Sequence, residues 1–385
     1  MTLYFVAGEA SADNHGAALM RSLRALIRNG GINFIGRGGP EMRRIAGEQF
    51  KDWLGDAAVL GLWEVIRKYG YFREQFHETL KEIQESKPDA VVLIDYPGFN
   101  LRLARALRRQ SRQLKIIYYI SPQVWAWNRG RIRKMARYLD LMLCIFPFEA
   151  DLYNASGLRT EFVGHPMIER LGARRIESER DPNLVGLFPG SRAREVRQIF
   201  PVMLKTVREL QRHNANLRFE VAAASEKLAT EMEHLWQRHP VALSYGLEAR
   251  ATIAIKVGET AAIMQRAFSG IVASGSATLE AAYFRMPFVL IYKVAWPTYL
   301  AARLVVNVKY LGMPNVLAEK EIVPEFIQHR AKPEVIAKAL WRVMENPDAQ
   351  EQMISEFDAI VGKLGEGQAS EKAAAAIIEE IGRSR

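Results

Sequence analysis

Val185-Gly-Leu-Phe-Pro-Gly-Ser-Arg192 and Ile271-Val-Ala-Ser-Gly-Ser-Ala-Thr-Leu-Glu280 each read as an apolar strand, a turn free of bulk and the start of a helix. The first N–H groups of a helix lack intrahelical partners and carry the positive end of its dipole. A turn without bulk lets an anion reach them, so each stretch reads as a phosphate site. Two such turns at the strand ends of one sheet can hold a diphosphate and its sugar, which points to a nucleotide-linked ligand.

The same alternation extends in both directions. Before these turns, strands are expected at Leu3–Ala7, Ile32–Gly36, Ala90–Asp95, Lys115–Ile120, Leu139–Phe146 and Thr160–Val163. Helices are expected between them at His15–Arg28, Phe72–Ser86, Leu101–Gln110 and Arg129–Tyr138. Gly164-His-Pro166 breaks the pattern, and the charged, aperiodic Ala173–Pro182 reads as a linker. Alternation restarts at Leu184–Leu187 and runs through Phe288–Tyr292, and helical periodicity follows at Pro333–Glu345, Gln350–Val361 and Ser370–Ile381. Strand-helix alternation implies parallel, doubly wound sheets. The expected organisation is an α/β chain of two Rossmann-like domains, 1–166 and 167–345, with a ligand cleft between them. Terminal helices over 346–385 can cross back to the first domain.

The 385 residues suffice for two domains, and 49% hydrophobic with 25% charged residues is a globular composition. The single Cys144 leaves no internal disulfide framework and no cysteine-based zinc site. Met1 leads at once into a strand with no basic leader, and no apolar run reaches the roughly 20 residues that span a bilayer. A cytoplasmic location is therefore expected. The net charge of +10 is concentrated between Arg102 and Arg137. That excess reads either as a solvated helix face or as attraction to anionic lipid or a phosphorylated substrate. No recognised nucleic-acid module accompanies it, and no metal-ligand cluster or Gly-x-Gly-x-x-Gly dinucleotide turn is present.

Eight pieces occur in one order: Val6-Ala-Gly-Glu-Ala-Ser-Ala-Asp13, Asp95-Tyr-Pro-Gly-Phe-Asn100, Tyr119-Ile-Ser-Pro-Gln-Val-Trp-Ala-Trp127, Phe146-Pro-Phe-Glu149, Phe162-Val-Gly-His-Pro166, Pro189-Gly-Ser-Arg192, Ser274-Gly-Ser-Ala-Thr-Leu-Glu280 and Met313-Pro-Asn315. In these the chain resembles the lipid-A-disaccharide synthases, inverting glycosyltransferases of the GT-B fold. The resemblance implies transfer of 2,3-diacylglucosamine from UDP to the 6-hydroxyl of 2,3-diacylglucosamine 1-phosphate (lipid X). It implies UDP-2,3-diacylglucosamine and lipid X as partners, and neither a cofactor nor a metal. Ala12, Gly98 and Ser276 depart from the family's commoner glycine, aspartate and threonine. Gly98 removes one candidate carboxylate and leaves Asp95.

An inverting transfer needs a base for the acceptor proton and positive groups for the departing diphosphate. Asp95 ends an apolar strand just before a Pro-Gly turn and takes the base role; the alternative is a capping aspartate. Glu9 follows the first strand and can contact acceptor or donor. Gly190 and Ser191 allow close backbone approach, and Arg192 can grip phosphate oxygens in a fork or pair with Glu195 instead. Ser274, Gly275 and Ser276 supply donors, Glu280 can hold ribose hydroxyls, and Asn315 can touch the donor or close a turn. His165 beside the break fits a hinge as well as catalysis.

Val59, Leu62, Trp63, Ile66 and Tyr69 recur at helical spacing opposite Glu64, Arg67 and Lys68. Core packing explains such a stripe, and so does an interfacial helix that receives acyl chains at the inner face of the cytoplasmic membrane. Trp125 and Trp127 can line the acceptor site or enter the core. Peripheral membrane association is expected, nucleic acid is not, and a homodimer is left open. Two rival readings are another GT-B-type UDP-sugar enzyme, such as a UDP-N-acetylglucosamine 2-epimerase, and a non-enzymatic basic protein that binds membrane or RNA.

Overall fold

The structure, a computed structural model, describes residues 1–27, 31–54, 69–126, 130–176, 178–238, 253–296, 299 and 309–383, with Tyr69 described by its backbone alone. It divides into two compact units, Met1–Glu169 with Leu364–Arg385, and Arg170–Lys363.

In the first unit the described strands are β1 (Thr2–Ala7), β2 (Asn33–Gly38), β3 (Lys51–Asp52), β4 (Ala90–Ile94), β5 (Lys115–Tyr119), β6 (Leu141–Cys144) and β7 (Thr160–Phe162). They form one parallel sheet in the order β3-β2-β1-β4-β5-β6-β7. β4 is apolar at every position because both sheet faces are covered, and all five residues are wholly buried. The last helix, Ala369–Gly382, packs against the helix Ala10–Leu26 through Ala373, Ala374 and Ile377. Glu380 fixes it to the sheet by accepting from Lys115 at 2.8 Å and from Arg159 at 2.6 Å.

In the second unit the described strands are β8 (Asp181–Phe188), β9 (Arg218–Ala223), β10 (Ile253–Val257), β11 (Ala267–Ala273), β12 (Phe288–Tyr292) and β13 (Glu325–Ile327), parallel in the order β10-β9-β8-β11-β12-β13. The long amphipathic helix Ala193–His213 covers one face and packs on the helix Pro333–Glu345. The helix Pro347–Lys363 belongs to this unit.

Several local expectations change. Gly164-His-Pro166 reads as a break, yet Pro166 opens a helix, Pro166–Gly172, just as Pro40 opens the helix Pro40–Ala46. Proline suits a first helical position because its missing N–H would have no partner there. The strand expected at Leu139–Phe146 is only Leu141–Cys144, since Phe146 caps the helix Pro147–Asn154. The presumed linker ends inside β8, whose Asp181 pairs with Ala267.

Candidate active site

Each sheet reverses strand order at one point, and ligands bind at such points beyond the carboxyl ends of parallel strands. In the first unit the reversal lies between β1 and β4, where Ala7 is the register partner of Ile94. Gly8-Glu9 and Asp95-Tyr96 therefore leave the sheet side by side. A side chain at position 8 would put its Cβ 2.4 Å from the Tyr96 ring, so glycine makes room for that ring. Asp95 and Tyr96 adopt φ of +46° and +50°, two successive left-handed non-glycine residues. The turn is held from three sides. The Asp95 N–H donates to the Tyr119 carbonyl at 3.0 Å, and the Asp95 carbonyl accepts from Tyr118 Oη at 2.5 Å and Asn100 Nδ2 at 2.8 Å. Strain of this kind persists where surrounding contacts over-determine it, as they do at functional sites.

The Asp95 carboxyl is pushed up to about 6, first by burial and then by the negative Glu9. A carboxylate so placed is ionised at neutral pH and can still take a proton. Glu9 itself is exposed. An aromatic wall stands behind the turn: Phe99 meets Trp53 at 5.2 Å, Phe76 at 5.7 Å and Tyr96 at 6.2 Å between ring centroids. The Trp53 indole N–H donates to the Ala7 carbonyl at 2.6 Å, tying that wall to β1.

The motifs around this turn have structural duties. Asp13, almost wholly buried, accepts from the N–H groups of Gly39, Glu41 and Met42 and so caps the helix Pro40–Ala46. Trp125, read as lining the acceptor site or entering the core, is buried against Phe148, and its indole N–H donates to Glu149 at 2.9 Å. His165 accepts from the Met167 N–H through Nδ1, at the head of the helix Pro166–Gly172. Trp63, Ile66 and Trp127 lie outside the described residues, and of Tyr69 only the backbone is described, at the start of the helix Tyr69–Ser86.

In the second unit the reversal lies between β8 and β11, and the two glycine-serine turns leave the sheet there together. They line one cavity of about 560 Å³. The structure brings Gly190, Ser191, Arg192, Ser274, Gly275, Ser276 and Glu280 into its wall. Gly190 has φ +112°, and a Cβ there would lie 2.8 Å from a Glu195 carboxylate oxygen. Arg192 heads the helix Ala193–His213 and donates to Glu195 at 3.3 Å, an exposed pair easily exchanged for an anion. Gly275, at φ +147°, leaves open space beside the second turn. Such a wall offers backbone donors and a guanidinium to a diphosphate and a carboxylate to neighbouring hydroxyls.

Arg170 and Arg174 also line this cavity, and sequence reading missed them. Arg170 donates to Glu280 at 2.7 Å. The available signal was the cluster Arg170, Arg174 and Arg175, which begins four residues after Pro166. Asn315 stands outside this cavity wall. It is wholly buried; its amide donates to Val323 and Glu325 while its oxygen accepts from Ile322 and Val323 N–H groups, which makes it a turn organiser. Sequence reading placed Glu149 in a motif without a role; in the structure it is the buried hub of the Ser121-Pro-Gln-Val-Trp125 segment.

Comparison with known proteins adds to this geometry. A family model described as lipid-A-disaccharide synthetase matches residues 3–379. The lipid-A-disaccharide synthase of Geobacter sulfurreducens is 35% identical over 99% of this chain and 97% of its own length. That of Syntrophus aciditrophicus is 36% identical over 98% and 97%. Among solved structures, the S. aureus MnaA–UDP co-structure superposes with a TM-score of 0.60 at 13% identity, covering 100% of this chain and 98% of that one. The Methanocaldococcus jannaschii UDP-GlcNAc 2-epimerase in complex with UDP-GlcNAc and UDP gives 0.56 at 12%, covering 98% and 100%. At such identities these two show the shared fold.

Proposed function

This chain belongs to the lipid-A-disaccharide synthetase family, and from that premise we propose how its two sites divide one glycosyl transfer. The reaction moves 2,3-diacylglucosamine from UDP to the 6-hydroxyl of 2,3-diacylglucosamine 1-phosphate. The products are UDP and the β-1,6-linked disaccharide 1-phosphate. The second unit holds the UDP-sugar. Amide groups of the Gly190–Ser191 and Ser274–Ser276 turns and the Arg192 guanidinium take the diphosphate, and Glu280 takes ribose hydroxyls. As the glycosidic bond to UDP lengthens, these donors stabilise the charge that gathers on the leaving diphosphate.

The first unit holds the acceptor. Asp95 accepts the proton of the 6-hydroxyl as that oxygen bonds to the anomeric carbon from the face opposite UDP, which inverts the centre. Glu9 keeps the Asp95 carboxyl basic through its charge. No step calls on a metal, so turnover persists in a chelator. The observation that carries this reading is the placement of Asp95, a half-buried carboxyl in a strained turn at the strand-order reversal, with its proton affinity raised to about 6.

The acyl chains of both substrates require an apolar receiving surface. The stripe Val59 to Tyr69, mostly outside the described residues, is the segment assigned to it, resting on the inner face of the membrane. No described helix is long and apolar enough to cross a membrane. A purified assay with UDP-2,3-diacylglucosamine and lipid X, comparing wild type with Asp95→Ala and Arg192→Ala, tests the assignment. Loss of about 10²-fold or more in kcat for Asp95→Ala is expected, and full turnover in both variants overturns it. The epimerase reading predicts instead that UDP-N-acetylglucosamine is consumed without an acceptor.

A further inference from the structure

A basic groove beside the Asp95 turn is used by none of the steps above. A cavity of about 700 Å³ opens on the first unit between the helix Pro97–Gln110 and the segment from Arg131 to Tyr138. It begins at Pro97 and Gly98, directly after the Asp95-Tyr96 turn. Seven of its lining residues are Arg or Lys, and none of the described ones is acidic. One of the seven, Arg108, has a structural duty: it pairs with Asp140 and donates to the carbonyls of Arg112 and Leu114. Arg102, Arg105 and Arg109 are exposed and share one helix face, with exposed Lys134 and Arg137 lining the other side. Among the described residues these five make no ion pair.

Folding gains nothing from such a cluster. Like charges at close range repel, and exposed cations need no groove to stay solvated. A doubly charged phosphate monoester would relieve the repulsion and match guanidinium geometry in paired bonds. The cavity size falls within the range of small-molecule sites, and a two-walled groove admits one head group at a time, whereas a bilayer presents a plane. Along the helix, a rise of about 1.5 Å per residue sets Arg102 about 7 Å from Pro97, the reach of one sugar ring.

We propose that this groove seats the phosphate monoester of the acceptor on Arg102, Arg105 and Lys134, so that its free hydroxyl is presented at Asp95. The proposal rests on the acceptor assignment given above. It is tested with Arg102→Ala/Arg105→Ala and the conservative Arg102→Lys/Arg105→Lys. The alanine pair should raise the KM for lipid X about tenfold or more while kcat and the KM for the UDP-sugar stay within twofold. The lysine pair should recover most of that loss. Wild type should show the same elevated KM with an acceptor lacking the phosphate, and on that acceptor the alanine pair should lose nothing further. An unchanged KM for lipid X, or an equal additional loss on the phosphate-free acceptor, overturns the proposal. So does reduced binding to phosphatidylglycerol vesicles with an unchanged KM, which would assign the groove to the membrane instead. Calorimetry with soluble glucosamine 1-phosphate separates the two levels of inference. If wild type binds it and the alanine pair does not, the groove stands even where no disaccharide forms. If neither protein binds it, the groove fails even where transfer proceeds.

Discussion

Glu149 accepts a hydrogen bond from the Ser121 hydroxyl at 2.6 Å, joining the Ser-Pro-Gln-Val-Trp segment to Phe146-Pro-Phe-Glu149 in one buried knot. The Trp125 indole and the Phe146 N–H donate to the same carboxyl. Burial pushes that carboxyl up to about 7 despite these donors. Between the ordinary glutamate value and 7, the native state therefore binds a proton that the unfolded chain has released. Stability conferred below that window is lost as pH rises through it, by about 3 kcal/mol in all. Glu149→Gln keeps an acceptor for Ser121 and removes the titration. Its urea midpoint should be lower at pH 5 but change less between pH 5 and 7 than that of wild type. A wild-type midpoint no more pH-dependent than the variant's refutes this account.

Arg170 and Glu280, paired in the wall of the cavity proposed to hold UDP, should act as one unit. Removing either partner frees the other, so the two substitutions cannot be independent. Arg170→Ala and Glu280→Gln should each raise the KM for the UDP-sugar about tenfold. The double variant should lose little more than the worse single one, a coupling of about 1 kcal/mol. Additive losses across the cycle would show that the pair is not formed when the nucleotide is bound.

Gly190 combines a φ forbidden to most side chains with a carboxylate where its Cβ would stand. Gly190→Ala should therefore reshape the first turn and displace Glu195. Backbone strain of this kind costs about 1–3 kcal/mol. We expect a lower Tm together with a UDP Kd raised about tenfold by calorimetry, and Gly275→Ala should weaken UDP binding as well. A Gly190→Ala protein with wild-type Tm and UDP affinity would remove the turn from the binding site.

What the sequence disclosed and what it hid follow one physical line. The turns at Pro189–Arg192 and Ser274–Ser276 were legible because strand, glycine and helix start are adjacent in the chain. Asp95 was legible because a carboxylate that follows a fully apolar strand must emerge at the carboxyl end of the sheet. Arg170 was not, since its place beside Glu280 depends on a fold that brings together residues 110 apart. The same holds for Glu149, whose hydroxyl and indole partners lie 28 and 24 residues upstream. For Asn315 the sequence left donor contact and turn closure both open, because a motif residue can be fixed by the turn it builds; in the structure four hydrogen bonds to Val323, Glu325 and Ile322 occupy its amide. Pro166 misled, because it opens a helix where the chain was taken to break.

The acid limb of the pH profile offers the sharpest check on Asp95. A base works only when deprotonated, so kcat/KM should fall as pH drops below about 6, the value to which burial and Glu9 raise its carboxyl. Glu9 contributes by repulsion between two negative charges, so removing its charge must lower the Asp95 value and never raise it. Glu9→Gln should accordingly move the acid limb to lower pH while leaving a profile of the same shape. Its turnover at pH 7 should fall less than that of Asp95→Ala, since the base survives and merely weakens. Asp95→Asn should lose the limb altogether along with about 10²-fold or more of the rate. A limb that stays near 6 in Glu9→Gln would show that another group sets it, and one that persists in Asp95→Asn would move the base elsewhere.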